Sequence, residues 1–119
     1  LINNGDMNFE FKELPSLSQF GAVRDVIIKD VNKDGLMDFI CGGNFYGSEV
    51  ETVRYDSNFG SIVINKGNGN FETLSLEASG LVLNSDVRDL ETVTIQNEEY
   101  LLVTSNNDEV RSYKFSKRP

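Results

Sequence analysis

One ten-residue stretch of this chain occurs twice. Leu1-Ile2-Asn3-Asn4-Gly5-Asp6-Met7-Asn8-Phe9-Glu10 is matched 62 residues later by Val63-Ile64-Asn65-Lys66-Gly67-Asn68-Gly69-Asn70-Phe71-Glu72. Two further anchors keep the same order: Val23-Arg24-Asp25 with Val87-Arg88-Asp89 at an offset of 64, and Asn44 with Asn107 at 63. Self-similarity at a near-constant spacing means that one supersecondary unit is copied and stacked, because a single unit cannot bury its apolar face alone. The 119 residues hold just under two such units.

The pattern within a unit is that of strands. Val23–Lys29 is β-branched, Met37–Gly42 is a short apolar run, Ser61–Asn65 is apolar, and Phe71–Glu77 alternates. Each is too short for a helix and is bounded by Gly, Asn or Asp. The Gly/Asn cluster Lys66–Asn70 predicts a tight hairpin turn. Glu13–Phe20 is the one weak helical stretch, and Pro15 interrupts it. The second unit repeats the strands as Val87–Ile95, Tyr100–Ser105 and Val110–Phe115. Four strands recurring at this spacing predict an all-β chain of antiparallel four-stranded propeller-blade repeats, about two blades of a larger propeller. Residues 1–22 then supply the last strands of one blade, 23–80 a complete blade and 81–119 a partial one. A small β-sandwich with an incidental duplication is the alternative.

Charge narrows the partners. Nineteen Asp and Glu face eleven Lys and Arg, for a net charge of −8. An acidic surface repels phosphate backbones and anionic headgroups, so neither nucleic acid nor a membrane is expected, whereas a cation is. No stretch is long and apolar enough for membrane insertion. Cys41, the only cysteine, lies in the apolar run Phe39-Ile40-Cys41 and reads as a buried, inert thiol. Leu1 falls inside a repeated motif and no leader precedes it, so the expectation is a C-terminal piece of a longer protein ending naturally at Lys117-Arg118-Pro119.

The segment Asp30-Val31-Asn32-Lys33-Asp34-Gly35-Leu36-Met37-Asp38 carries the clearest chemistry. Calcium takes six to eight oxygens at about 2.3–2.6 Å, and a short loop supplies them when every second side chain turns inward. Asp30, Asn32 and Asp34 stand at positions one, three and five of this loop. Gly35 permits a sharp turn, Leu36 offers a carbonyl, and Asp38 closes the loop at position nine. Three carboxylates and an amide suit Ca²⁺; Zn²⁺ would ask for His or Cys, and the chain has no His. An EF-hand is excluded, because position twelve is Cys41 rather than Glu and the flanks read as strands. A metal-free Asn/Asp/Gly hairpin is the competing reading. Aligned from Arg88, the second copy runs Thr94–Leu101, one residue shorter, with Thr94 at the first position and Leu101 in place of Asp38. No metal is expected there.

The D-x-N-x-D-G-x-x-D loop within Val23–Gly43, with the Asn-x-Gly-x-x-x-Phe turns at Asn3–Phe9 and Asn65–Phe71, resembles the FG-GAP/VCBS repeats of integrin-α-type β-propellers. The resemblance covers most of the chain and weakens after Glu91. It implies a propeller, usually exported or on the cell surface, with Ca²⁺ held between the first two strands of a blade. Carried over by position, the ligands are Asp30, Asn32, Asp34, the Leu36 carbonyl and Asp38. Fewer than three blades cannot close a ring, so exposed strand edges are expected to invite self-association.

The function expected is that of a non-enzymatic, calcium-stabilised module for extracytoplasmic recognition or scaffolding. A protein or glycan partner is expected at the long segment 45–60, which carries Phe45, Tyr46, Tyr55 and Phe59. The alternatives are a carbohydrate-binding module, or part of a propeller enzyme acting on polysaccharide. Catalysis would draw on Glu49, Glu51 or Asp56 of the same segment. The lack of His excludes a His-based triad.

Overall fold

A computed structural model gives the fold of residues 1–116; the Lys117-Arg118-Pro119 terminus lies outside the described residues. The chain is all-β, in three antiparallel sheets whose strands follow sequence order. β1 (Ile2–Asn3) and β2 (Phe9–Glu10) form a two-stranded hairpin. β3 (Val23–Lys29), β4 (Asp38–Gly43), β5 (Ser61–Asn65) and β6 (Phe71–Thr73) form a four-stranded meander. β7 (Val87–Ile95), β8 (Glu98–Ser105) and β9 (Arg111–Lys114) form a three-stranded one. No helix among the described residues is long and apolar enough to cross a membrane.

The sequence repeat is a repeat of hydrogen bonds. In the first hairpin Asn4 N–H donates to Asn8 O at 2.9 Å, Asn8 N–H to Gly5 O at 2.8 Å, and Gly5 N–H to Asn3 Oδ1 at 2.9 Å. Sixty-two residues on, Lys66 N–H donates to Asn70 O at 2.8 Å, Asn70 N–H to Gly67 O at 2.9 Å, and Gly67 N–H to Asn65 Oδ1 at 2.9 Å. Ile2 pairs with Glu10 as Ile64 pairs with Glu72. The Val-Arg-Asp anchors repeat as well: a β-bulge falls at Arg24, between Val23 and Asp25, and again at Arg88, between Val87 and Asp89. Register sharpens one equivalence. Val23 pairs with Gly43 and Val87 with Ser105, so the counterpart of Asn44 is Asn106 rather than Asn107. Backbone bonds agree, with Asn44 N–H on Ala22 O and Asn106 N–H on Asp86 O, both 2.9 Å.

The core lies between the two larger sheets. Ile40, Ile62 and Ile64 from the four-stranded sheet meet Val87, Leu90, Leu101 and Val103 from the three-stranded one, and Leu81 and Leu83 of the connection complete the cluster. Burying each such side chain contributes roughly 1.5–3 kcal/mol relative to leaving it in water. Polar ties run across the same seam. Leu90 N–H donates to Asp25 Oδ2 at 2.7 Å, and Lys29 Nζ reaches Glu99 Oε1 at 2.7 Å, holding that carboxyl below its ordinary range. Cys41 is buried, and burial pushes its thiol up, which keeps it an unreactive core residue.

Four strands differ in extent from the sequence reading, and one helical turn is new. The second strand runs Asp38–Gly43, the last Arg111–Lys114, and β8 starts at Glu98. The alternating segment Phe71–Glu77 leaves the sheet at Thr73 and turns into α1 (Leu76–Ser79). Local capping outweighs alternation there. The Ser75 hydroxyl accepts from Ala78 N–H at 3.1 Å, and Gly80 closes the turn at φ 68° with its N–H on Leu76 O. The weak Glu13–Phe20 signal yields only a 3-10 turn, Ser16–Gln19, directly after Pro15.

Candidate functional site

The acidic loop joins β3 to β4 at one end of the four-stranded sheet, and its conformation follows from its side chains. Asp34 N–H donates to Asp30 Oδ1 at 3.1 Å and to Asn32 Oδ1 at 3.0 Å, so these two oxygens converge on one point inside the loop. Gly35 N–H donates to Asp30 Oδ2 at 2.9 Å. The Asp34 carboxylate takes Leu36 N–H on Oδ1 and the Asn32 amide on Oδ2, both at 2.8 Å. Those donors, Leu36 N–H first, hold the Asp34 carboxyl below its ordinary range. Lys33 at φ 63° and Gly35 at φ 91° supply the left-handed turns; open space surrounds Gly35, so conformation rather than room demands glycine there.

Asp38 plays a different part. It is fully buried, and its two oxygens hold Val31 N–H at 2.9 Å and Asn65 N–H at 2.8 Å. The carboxylate thus ties the start of β4 to the loop on one side and to the end of β5 on the other. The structure therefore brings Asp30, Asn32 and Asp34 into one hydrogen-bonded turn with Asp38 joined to it through Val31, and Leu36 enters that turn through its N–H rather than the expected carbonyl. The donor set is all oxygen with three negative charges, which suits a hard divalent cation. Its layout is looser than a coordination shell: among the described residues no three Asp, Glu or Cys side chains gather closely enough to hold a metal between them.

The second copy differs more than its sequence alignment suggests. Val93 pairs with Tyr100 as Lys29 pairs with Asp38, so Tyr100, not Leu101, stands at the position of Asp38, and the connection is two residues shorter rather than one. β7 and β8 extend their ladder to Ile95↔Glu98 and turn over Gln96 and Asn97 alone, at φ 49° and 67°. Both residues are left-handed, as a two-residue hairpin of this hand requires.

The segment 45–60 folds back on itself. Phe45 and Tyr55 exchange backbone hydrogen bonds of 2.8 and 2.9 Å, Arg24 lies 4.8 Å from the Phe45 ring centre, and Arg54 lies 4.7 Å from that of Tyr46. Asp56 is ion-paired with Arg54 at 2.9 Å, and Glu49 and Glu51 are exposed. At the root of the segment sits a polar node that the sequence marked only as a repeat anchor. Asn44 is completely buried; its Nδ2 donates to Asn58 O at 2.7 Å and Ser85 O at 3.1 Å, and its Oδ1 accepts Asn58 N–H at 2.8 Å. The sequence hint was Gly42-Gly43 just before it. A β-carbon on Gly43 would fall 1.7 Å from Ala22 O, so the chains can touch there only through glycine.

Compared with known proteins, the chain matches no family model, no curated protein and no solved structure.

Proposed function

We propose that this chain is a non-enzymatic module of β-propeller-type repeats, akin to FG-GAP/VCBS blades, that binds Ca²⁺ at Asp30–Asp38 and serves extracytoplasmic recognition or scaffolding. The observation that carries the reading is the contrast between the two hairpins. From equivalent paired positions the second unit continues its ladder and turns over two residues, whereas the first leaves the ladder for an eight-residue loop bearing Asp30, Asn32 and Asp34. Joining the strands does not require those side chains, and clustering carboxylates costs free energy through mutual repulsion unless a cation offsets it. Asp30, Asn32 and Asp34 gather in one hydrogen-bonded turn with Asp38 fixed at its exit, and such an all-oxygen set suits a hard cation as the compensating partner.

Repeated hairpins, repeated bulges and successive sheets packed through one apolar seam support the blade reading. The folded segment 45–60 is the proposed contact surface for a protein or glycan. The calcium half of the proposal is tested with protein stripped by EDTA. Titration with CaCl₂ should give a binding isotherm with a dissociation constant of about 10⁻⁴–10⁻³ M, as for extracellular modules, and a raised Tm. No heat and an unchanged Tm at millimolar Ca²⁺ would sink it.

A further inference from the structure

The seam between the two larger sheets is a knob set into a hole. The knob is the pair Val87 and Leu90 on β7, 0% and 4% exposed. The hole is Gly42 on β4. A β-carbon there would fall 3.1 Å from Val87 Cγ1 and 3.3 Å from Leu90 Cδ1, so the pair packs into room that glycine leaves. Ile27, Ile40, Ile62 and Ile64 of the four-stranded sheet complete the seam.

The knob recurs in the first unit, where it is bare. Register makes Val23 and Val26 the counterparts of Val87 and Leu90, yet they are 43% and 45% exposed, with Ile28 exposed beside them. Val26 lies on the face opposite Ile27, because successive strand residues alternate. The hole recurs in the second unit, where it is closed. On the outer face of the three-stranded sheet Thr104 stands at the position of Gly42, Glu91 at that of Ile27, Ser112 at that of Ile62 and Lys114 at that of Ile64. Leu102 alone stays aliphatic, for Ile40, and Asp89 keeps the carboxylate of Asp25. Glu91, Ser112 and Lys114 are exposed, and covering them with an aliphatic knob would take charge out of water.

We propose that the face bearing Val23 and Val26 is a docking surface for one further sheet of this repeat, and that stacking is one-way. The seam already formed defines the occupant: a sheet with glycine at the position of Gly42, flanked by aliphatic residues at those of Ile27 and Ile40. A second copy of this chain does not qualify, since its Gly42 is already filled and its outer face carries Thr104 and Glu91. Faces that fitted one another would link copies into open filaments, and a polar face on one side prevents that. One-way docking rests on the blade-repeat reading and not on calcium at Asp30–Asp38, so a missing calcium response would leave it standing.

The probe is a variant of this chain. Glu91→Ile, Thr104→Gly, Ser112→Ile and Lys114→Ile rebuild the hole on its outer face, and Val26→Lys blunts its own knob. Mixed with the parent chain in EDTA, it should give a one-to-one complex in sedimentation velocity, and Val26→Lys in the parent should abolish that complex. A folded probe that does not bind, or binding that survives Val26→Lys, would overturn the proposal. A second measurement needs no probe. Val26→Lys alone should leave the Tm of the parent unchanged, because the knob is bare, whereas Leu90→Lys should prevent folding. A large drop in Tm with Val26→Lys would mean that the face is already covered, and the proposal would fall. It would fall equally if the parent self-associated in a way that Val26→Lys abolished, because a second copy would then be the occupant.

Discussion

Asp25 on β3 accepts the backbone N–H of Leu90 on β7 at 2.7 Å, and it does so beside the bulge that both strands share. Its other oxygen takes Val26 N–H at 2.8 Å, and Val26 is the repeat counterpart of Leu90. One carboxylate thus clamps equivalent amides of two successive sheets. Asp25→Ala should lower stability by about 1–3 kcal/mol, because Leu90 N–H loses its partner inside the seam. Asp25→Asn should lose less, since an amide oxygen still accepts. Urea melts of the three proteins check the order.

The Asn44 node should be more sensitive. Asn44→Ala leaves Asn58 N–H and two carbonyls unpaired in a fully buried corner, at a cost of about 2–5 kcal/mol. Asn44→Asp should be no better, because a carboxylate cannot donate to Asn58 O or Ser85 O. Gly43→Ala should prevent native packing outright, given the overlap with Ala22 O. Thermal unfolding of Asn44→Ala and soluble yield of Gly43→Ala are the measurements.

Asp34 gives a pH signature for the acidic loop. Its folded-state pKa is depressed by Leu36 N–H and then by the Asn32 amide. A depressed acid pKa contributes stability that is present above the unfolded value and is lost as pH falls through the folded one. The loop should therefore stay ordered at neutral pH and loosen only below the ordinary aspartate range. Asn32→Ala should move the Asp34 midpoint upward without abolishing the depression, because the larger cause is backbone. Carboxyl-detected NMR titration reads both midpoints; an Asp34 midpoint at the ordinary value in the parent protein would contradict the geometry.

Strand placement was legible in the sequence because short β-branched runs bounded by Gly and Asn have few other uses, and β3, β5 and β7 begin and end where that pattern does. The helical turn after β6 was missed, although Ser75 and Gly80 are ordinary cap residues, because alternation through Phe71–Glu77 pointed the other way. In the acidic loop, alternation correctly put Asp30, Asn32 and Asp34 together. It did not show that Asp38 would be buried against Asn65, a contact 27 residues away in sequence. The Asn44–Asn58 node was invisible for the same reason: it depends on chain segments meeting across a sheet junction, which no local pattern encodes.

Edge strands bear on assembly. Among the described residues β9 pairs only with β8 and β1 only with β2, so each leaves an unpaired row of backbone groups. Sedimentation velocity at increasing concentration should show reversible association. Ser112→Pro, within β9, should reduce it by removing an N–H and bending the edge. A monomer at all concentrations would leave these edges without a pairing role.

The β7–β8 turn offers the sharpest local test of the fold. Gln96 and Asn97 both adopt left-handed φ, and of the two only Asn favours it intrinsically. Replacing Gln96-Asn97 by Asn-Gly should relieve the turn and stabilise the protein by about 0.5–1 kcal/mol. The six residues Thr94–Glu99 grafted in place of Asp30–Met37, between Lys29 and Asp38, would convert the first hairpin to the form of the second. That variant should keep the four-stranded sheet, because register is set by the strands, while losing any response of Tm to CaCl₂. A calcium response that survived the graft would place the cation elsewhere and end the case for the Asp30–Asp38 loop.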